Sequence, residues 1–425
     1  MLRRLILLPL VLRFSVAVGA NQNEDPPPIF DRRPYAEAKN GAEQSRKWFI
    51  VDATAAWCLP CRQMDATTWR DEKVVKWLTE NAVVLAVDVD RQEKLAADLA
   101  VEAMPTIISF KDGSEFDRVV GYHTPDELLA WLEGMARGEK AIEAIRKRAG
   151  NRDPAEGRVD IQARLDLAAS LAASAKFEEA TDEYVWLWQH MLEHDLGYYG
   201  VRLSFMAGDM ERLASKHAGA MKRFTELRNQ TAKALEGEKV HPDDLVDWVT
   251  LNQIVGDAKA TLVWYEKVKD EARWRRLIDR VSRDLERLFI AEKRWADIGR
   301  LYTNPIQELE QEHELNQLTR HDDLPPGLSK EVREKILDAP NRMLREKAGR
   351  LYTGLLAARR EDEAEKLAAR AREFDHSPAM IIALISTALE AGHARPQHLD
   401  WIEKAADQDG SLADLRARTL SALAR

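Results

Sequence analysis

The chain changes its text at Ala149-Gly150-Asn151-Arg152-Asp153-Pro154. Before that break, runs of β-branched and aliphatic residues such as Val83-Val84-Leu85-Ala86-Val87-Asp88-Val89 alternate with helical patterns. Beyond it such runs are gone, and Ala, Leu, Glu, Arg and Trp recur at helical spacing. The first kind of run reads as a buried strand and the second as amphipathic helix. The chain is therefore expected to fold as an α/β layer domain followed by an all-α region. A length of 425 residues is ample for two or more cores.

The first half holds both cysteines of the chain, in Trp57-Cys58-Leu59-Pro60-Cys61. A zinc site needs four ligands, and no second pair exists to complete one. A structural disulfide closing so short a loop adds little stability. What remains is redox chemistry, in which one thiolate attacks a partner's disulfide and its neighbour resolves the mixed intermediate.

Asp52 lies six residues before Cys58, at the end of the apolar run Trp48-Phe49-Ile50-Val51. Downstream, Met104-Pro105-Thr106 leads into the strand-like Ile107-Ile108-Ser109-Phe110 and the turn Lys111-Asp112-Gly113. Together these motifs resemble a thioredoxin domain over roughly residues 45 to 136: Trp-Cys-x-Pro-Cys at a helix start, a buried acid behind it and a Pro-Thr pair opposite. The segment Thr67-Thr68-Trp69-Arg70-Asp71-Glu72, followed by Val74, Val75, Trp77 and Leu78, is similar to the C-terminal periplasmic domain of bacterial thiol:disulfide interchange proteins. The resemblance implies that the Met104–Pro105 bond is cis, and such a bond costs only about 0.5–1 kcal/mol over trans. Where thioredoxins place a lysine near the buried acid, this chain has Ala86.

The catalytic residues expected on this reading are Cys58, Cys61 and Asp52. Cys58, at a helix N-terminus, feels the positive end of the macrodipole and attacks; Cys61, one turn deeper, resolves. Asp52, surrounded by Phe49, Val51 and Trp57, loses hydration, which raises its pKa and fits it to take the Cys61 proton through a water. Trp57, Met104, Pro105 and Thr106 are the expected substrate-binding residues, the backbone before Pro105 pairing with an extended segment. No cofactor beyond the Cys58–Cys61 disulfide and no metal is expected.

Local signals support the α/β reading. Asp117-Arg118-Val119-Val120-Gly121 reads as a short edge strand. Thr124-Pro125-Asp126-Glu127, followed by Leu128, Leu129, Trp131 and Leu132, reads as an N-cap, a proline at the first helical position and a capping glutamate.

Met1-Leu2-Arg3-Arg4, the mostly apolar stretch Leu5 to Ala20 and the small residues Val18-Gly19-Ala20 read as a secretory signal peptide over 1–20. A buried helix or an uncleaved membrane anchor is the alternative. Residues 21–44 read as a linker, with Asp25-Pro26-Pro27-Pro28 an extended tether. The expected location is thus outside the cytoplasm, periplasmic or extracellular. A net charge of −9 with both signs interspersed argues against nucleic acid.

The second half, 154–425, reads as a degenerate tetratricopeptide-like array of helical hairpins. One pairs Leu165, Leu167, Ala168, Leu171 and Ala172 with Phe177, Ala180, Tyr184 and Leu187. Others are read around Leu285-Phe289 with Trp295-Ile298-Tyr302, and around Leu351-Leu355 with Ala364-Ala368-Ala371. Gly299-Arg300-Leu301-Tyr302-Thr303 recurs as Gly349-Arg350-Leu351-Tyr352-Thr353, on a second helix in one case and a first in the other, and is read as coincidence. His190 and His194 share a helical face, but the surrounding pattern favours packing over metal binding.

The reading as a whole is an exported thiol:disulfide oxidoreductase whose helical half docks a partner or substrate, or serves self-association. Its partners would be proteins with disulfides or thiols, and an upstream redox protein. The alternative is a non-catalytic scaffold in which the helical half does the work.

Overall fold

Strand β1 (Trp48–Thr54) is the middle of the first half, because it is buried on both faces. The computed structural model describes residues 27–152, 159–237, 240–318, 330–405 and 411–424. The expected signal peptide lies outside them, as do Asp25 and Pro26 of the tether and the Leu324-Pro325-Pro326-Gly327 stretch. β2 (Ala82–Asp88) pairs parallel to β1, β3 (Thr106–Lys111) pairs antiparallel on its other side, and β4 (Ser114–Val120) completes the order β2-β1-β3-β4. Phe30 adds a single parallel bridge to Val84 at the β2 edge.

Alternation along β1 sends Phe49 and Val51 to one face and Ile50 and Asp52 to the other. The first face packs on Leu85, Ile108, Phe110 and α1 (Tyr35–Gln44). The second packs on Met64 of α2 (Leu59–Ala66), Val74 and Leu78 of α3 (Glu72–Asn81), Ile107, and Leu128 and Leu132 of α5 (Pro125–Ala136). A short α4 (Glu93–Asp98) precedes the loop to β3. The start of α5 has the expected capping box, with Thr124 and Glu127 satisfying each other's backbone N–H groups.

Residues 35–44, read from the sequence as part of a linker, instead form α1, whose Ala38 and Ala42 are fully buried. Its apolar stripe is made of small side chains, so its periodicity is faint in the sequence. Tyr35 meets Phe49 edge-on at 5.3 Å.

From residue 141 every described element is a helix: α6 (Ala141–Ala149), α7 (Ile161–Ala173), α8 (Phe177–His194), α9 (Tyr199–Val201), α10 (Ala207–Lys216), α11 (Ala218–Ala234), α12 (Pro242–Ile254), α13 (Ala258–Val268), α14 (Arg275–Arg280), α15 (Ser282–Ala291), α16 (Trp295–Leu301), α17 (Pro305–Leu318), α18 (Lys330–Ala357), α19 (Glu361–Phe374), α20 (Pro378–Glu390), α21 (Gln397–Lys404) and α22 (Ser411–Leu423). The chain divides into two compact units, one running to Leu227 and the other beginning at Arg228. The α/β layer and α7 and α8 belong to the first. No helix among the described residues is long and apolar enough to cross a membrane.

The three hairpins read from the sequence are present as α7/α8, α15/α16 and α18/α19, and they share one turn. In each, a residue with left-handed φ ends the first helix: Ala175 (55°), Lys293 (54°) and Arg359 (60°). The next N–H then reaches back to a carbonyl five residues earlier, Lys176 to Leu171, Arg294 to Phe289 and Arg360 to Leu355. The same turn recurs with glycine in the left-handed position at Gly256 and Gly392.

Both copies of the recurring pentapeptide put glycine at a close helix crossing. A Cβ on Gly299 would lie 2.0 Å from the Gly354 carbonyl oxygen, and one on Gly349 would lie 2.7 Å from that of Ala383. Leu301, Tyr302, Leu351 and Tyr352 are all buried beside them. The recurrence thus reflects one packing solution used twice.

In the second unit a buried charge network ties α15 to α18. Glu286 accepts from Lys347 Nζ at 3.0 Å, from Arg350 Nε at 2.9 Å and from the Tyr302 hydroxyl. Burial alone would raise the Glu286 pKa, but Lys347, Tyr302 and Arg350 outweigh it and hold the carboxyl below its ordinary value.

Candidate active site around the Cys58–Cys61 disulfide

The turn leaving β1 brings Cys58 to the N-cap of α2, because Pro60 and Leu59 can occupy the first helical positions where no intrahelical N–H bond is needed. The Cys58 sulfur accepts from the Cys61 N–H at 3.2 Å, and the Cys58 N–H donates to the Ala55 carbonyl at 3.0 Å. Cys58 and Cys61 form a disulfide with Cα atoms 5.3 Å apart, within the usual span. Each is 3% exposed, in a small apolar cluster with Ala55, Val89 and Met104. What distinguishes the two is place: Cys58 ends the loop at the helix terminus, whereas Cys61 lies one turn inside.

Trp57 is 64% exposed and Leu59 63%, so both flank the disulfide on the outside. Trp57 is held there by its indole N–H, which donates to Asp90 Oδ2 at 2.9 Å. This corrects the expectation that Trp57 helps to desolvate Asp52. Phe49 and Val51 do not surround Asp52 either, since strand alternation turns them to the opposite face.

Asp52 itself is 2% exposed, on the Ile50 face of β1. Its register partners are Ala86 on β2 and Ile107 on β3, neither of which offers a charge or a donor. Its Oδ1 is buried without a hydrogen-bond partner. Burial first, and then the nearby Asp65 carboxylate, push its pKa up to about 8.

The Met104–Pro105 bond is cis. Met104 is half-buried against the disulfide, and the Pro105 carbonyl accepts from the Gly121 N–H at 2.8 Å. Thr106 is buried and its hydroxyl donates to the Ala103 carbonyl at 2.7 Å, so its side chain braces this loop from within.

Four contributors escaped the sequence reading. Leu59 adds exposed apolar area, Val120 is 42% exposed beside Gly121, Asp90 fixes Trp57, and Asp65 stands on α2 one turn beyond Cys61. The spacing of Cys61 and Asp65, four residues apart on a helix, was the available signal for the last. His190 and His194 both pack on the Trp186 ring, at 5.4 and 5.8 Å, and no group of three potential metal ligands exists among the described residues.

The sequence profile of a thioredoxin-like domain matches residues 35–136. Thioredoxin H4 of Arabidopsis thaliana is 39% identical over 85 residues, which span 20% of this chain and 69% of that protein. Thioredoxin H7 of the same plant is 35% identical over 105 residues, spanning 25% of this chain and 78% of that protein. The thioredoxin of Rickettsia bellii (strain RML369-C) is 30% identical over 83 residues, or 20% and 76%. Among solved structures, a thioredoxin from Thermus thermophilus is similar at 25% identity and a TM-score of 0.24, covering 28% of this chain and 95% of that one. With its α/β sheet, its cis-proline loop and its Cys58–Cys61 disulfide, this chain belongs to the thioredoxin family and is a thiol:disulfide oxidoreductase.

Proposed function

We propose that the protein is an exported thiol:disulfide oxidoreductase in which Cys58 attacks and Cys61 resolves, and that its helical region docks a partner or substrate protein. The observation that carries the attack order is the position of Cys58 at the N-cap of α2, where its sulfur already accepts a backbone N–H. That environment favours a thiolate. In the reduced enzyme the Cys58 thiolate attacks one sulfur of a substrate disulfide, and the other substrate sulfur leaves with the electron pair and takes up a proton. Cys61 then gives its proton to Asp52, directly or through a water, and attacks Cys58 Sγ. The Cys58–Cys61 bond forms, the bond to substrate breaks, and the substrate leaves as a dithiol. An upstream dithiol protein must reduce the pair before the next cycle, and the same steps in reverse oxidise a substrate.

Trp57, Leu59, Met104 and Val120 offer apolar contact around the pair, and the backbone at Met104 pairs with an extended substrate segment. Export rests on the charged and apolar pattern of residues 1–20, and docking on the helical array that follows the α/β layer.

The test is adduct trapping in the exported compartment. Cys61→Ser should accumulate mixed disulfides with client proteins on a non-reducing gel, and Cys58→Ser far fewer. Equal adduct with both, or none with either, would overturn the attack order. Deletion of residues 159–424 should change which proteins are trapped if the helical region selects them, and an unchanged set would remove the docking role.

A further inference from the structure

From Leu196 to Gly208 the sequence carries one charged residue, Arg202. That residue is turned inward. It is buried, its Nε donates to the Trp188 carbonyl at 3.1 Å, and its guanidinium lies over the Trp188 ring at 4.0 Å. Apolar side chains take the outside instead: Phe205 is 78% exposed and Leu196 77%, with Tyr198, Tyr199 and Leu203 half-buried. The inversion falls where α9 passes into α10 through a π-helical turn, Arg202–Met206, and such turns recur at functional surfaces. An apolar and aromatic centre without exposed charge has the composition of an interface core.

A contact within the first compact unit places this surface relative to the disulfide. Lys216, the last residue of α10, pairs with Glu102, which stands two residues before Met104 in the loop that ends at cis-Pro105. Phe205 precedes Lys216 by three helical turns, which leaves the two about 20° apart around the axis and about 16 Å apart along it. The face of α10 that meets the cis-proline loop is therefore the face that bears Phe205. Adding the reach of the Lys216 and Glu102 side chains and the two residues to Met104 puts Phe205 no more than about 45 Å from the disulfide, a distance that about fourteen residues of extended chain span.

We propose that Leu196, Phe205 and the surface between them dock an uncharged, apolar segment of the disulfide-bearing client, so that the favoured substrates are unfolded or incompletely folded chains. This rests on the reading of the helical region as a docking module and names what it docks. Two observations select this occupant. The Glu102–Lys216 pair makes the surface continuous with the loop beside the disulfide, and the inward turn of Arg202 leaves nothing on it to attract a charged segment. A membrane surface fits less well, because interfacial helices carry lysine and arginine beside their apolar face. Here the flanking charges are Asp195 on one side and Asp209, Glu211 and Arg212 on the other, with Arg212 paired to Asp209.

The experiment uses the full-length protein, kept in turnover by a chemical dithiol whose own rate is subtracted, and two synthetic peptides. Each peptide has a disulfide-closed loop and a flexible glycine-serine spacer of about fourteen residues; one ends in a leucine-phenylalanine segment and the other has serine in those places. Wild type should reduce the apolar peptide with a kcat/KM roughly threefold or more higher, the gain lying in KM because contacts remote from the reacting sulfurs bind substrate and transition state alike. In Leu196→Ser/Phe205→Ser the ratio between the two peptides should fall to about one. Both side chains are exposed, so little packing is removed, and a ratio taken within one variant cancels any loss of active protein. The apolar peptide with benzoylphenylalanine in its segment, irradiated with wild type, should label residues 196–208. A ratio that survives the double variant, or a label that falls elsewhere in the helical half, overturns this inference and leaves the docking role standing. A wild-type ratio of one, with the label confined to residues 27–136 or absent, overturns both. Sedimentation with phosphatidylglycerol–phosphatidylethanolamine vesicles that the double variant loses, without any peptide preference, would give the surface to a membrane and overturn its assignment to a client.

Discussion

Asp52 and Ala86 stand in register on the parallel strands β1 and β2, so the buried carboxyl has a methyl group for its lateral neighbour. Neighbouring strands lie about 4.8 Å apart, close enough for any charge at position 86 to act strongly on Asp52. None is there. The consequence is a carboxylic acid whose pKa is raised by burial, and by Asp65, to about 8.

The sign of the resulting stability change is fixed by linkage. Below the ordinary carboxylate range Asp52 is protonated in both folded and unfolded chains and contributes no pH dependence. Between that range and about pH 8 the unfolded chain has released a proton that the folded one keeps, so stability falls as pH rises. The slope for one such group is about 1.4 kcal/mol per pH unit. Asp52→Asn removes the titration, so its stability advantage over wild type should grow across that window and level off above it. Urea unfolding midpoints at a series of pH values measure this, and a difference that does not vary with pH would contradict it.

Ala86→Lys puts a cation in the register position beside Asp52. It should lower the Asp52 pKa, flatten the pH dependence of stability and carry the pH step of the resolving reaction to lower pH. The same unfolding series and stopped-flow rates of mixed-disulfide resolution against pH read it, and a profile identical to wild type would mean that the lysine turns away from the carboxyl.

Much of this arrangement was legible in the sequence. The two cysteines, the acid six residues before them and the Pro-Thr pair sit on short-range patterns that strand alternation and helix capping translate directly. The resemblance that put Ala86 near the buried acid also holds in the register, where Ala86 pairs with Asp52. What was not legible depends on long-range packing. Trp57 looks like core in a sequence, and only the meeting of the 55–58 turn with the Asp88–Arg91 turn shows that Asp90 holds its indole outward. The strand alternation that separates Phe49 and Val51 from Asp52 was available and unused. α1 was hidden because an alanine stripe carries little hydrophobic signal, although Ala38 and Ala42 are fully buried.

That last point changes how the first domain should be cut. A fragment of residues 45–148, the cut the sequence suggests, exposes the face of β1 that α1 covers, whereas 27–148 keeps Tyr35, Ala38 and Ala42 on Phe49 and its neighbours. The longer fragment should unfold cooperatively and reduce insulin disulfides. The shorter should be less stable by roughly 2–4 kcal/mol, from the apolar area it uncovers. Equal unfolding midpoints would show that α1 adds nothing to the core.

The helical region offers a test of its own regularity. Five of its turns use one geometry, with Gly256 and Gly392 in the left-handed position in two of them and Ala175, Lys293 and Arg359 in the other three. A residue with a Cβ is disfavoured in that conformation by about 1–2 kcal/mol, and glycine escapes the penalty while losing part of the gain to the greater freedom of the unfolded chain. Lys293 and Arg359 are both exposed, so replacing them removes little packing. Lys293→Gly and Arg359→Gly should therefore each stabilise the protein by about 0.5–1 kcal/mol, while Lys293→Ala should be close to neutral. Gly256→Ala runs the other way and should destabilise by about 1 kcal/mol. Because the two lysine and arginine sites lie in different hairpins, their gains should add in the double variant. Thermal unfolding of the four single variants and the double variant checks the set, and loss of stability in both glycine variants would show that these turns are held by their side chains and not by the shared backbone geometry.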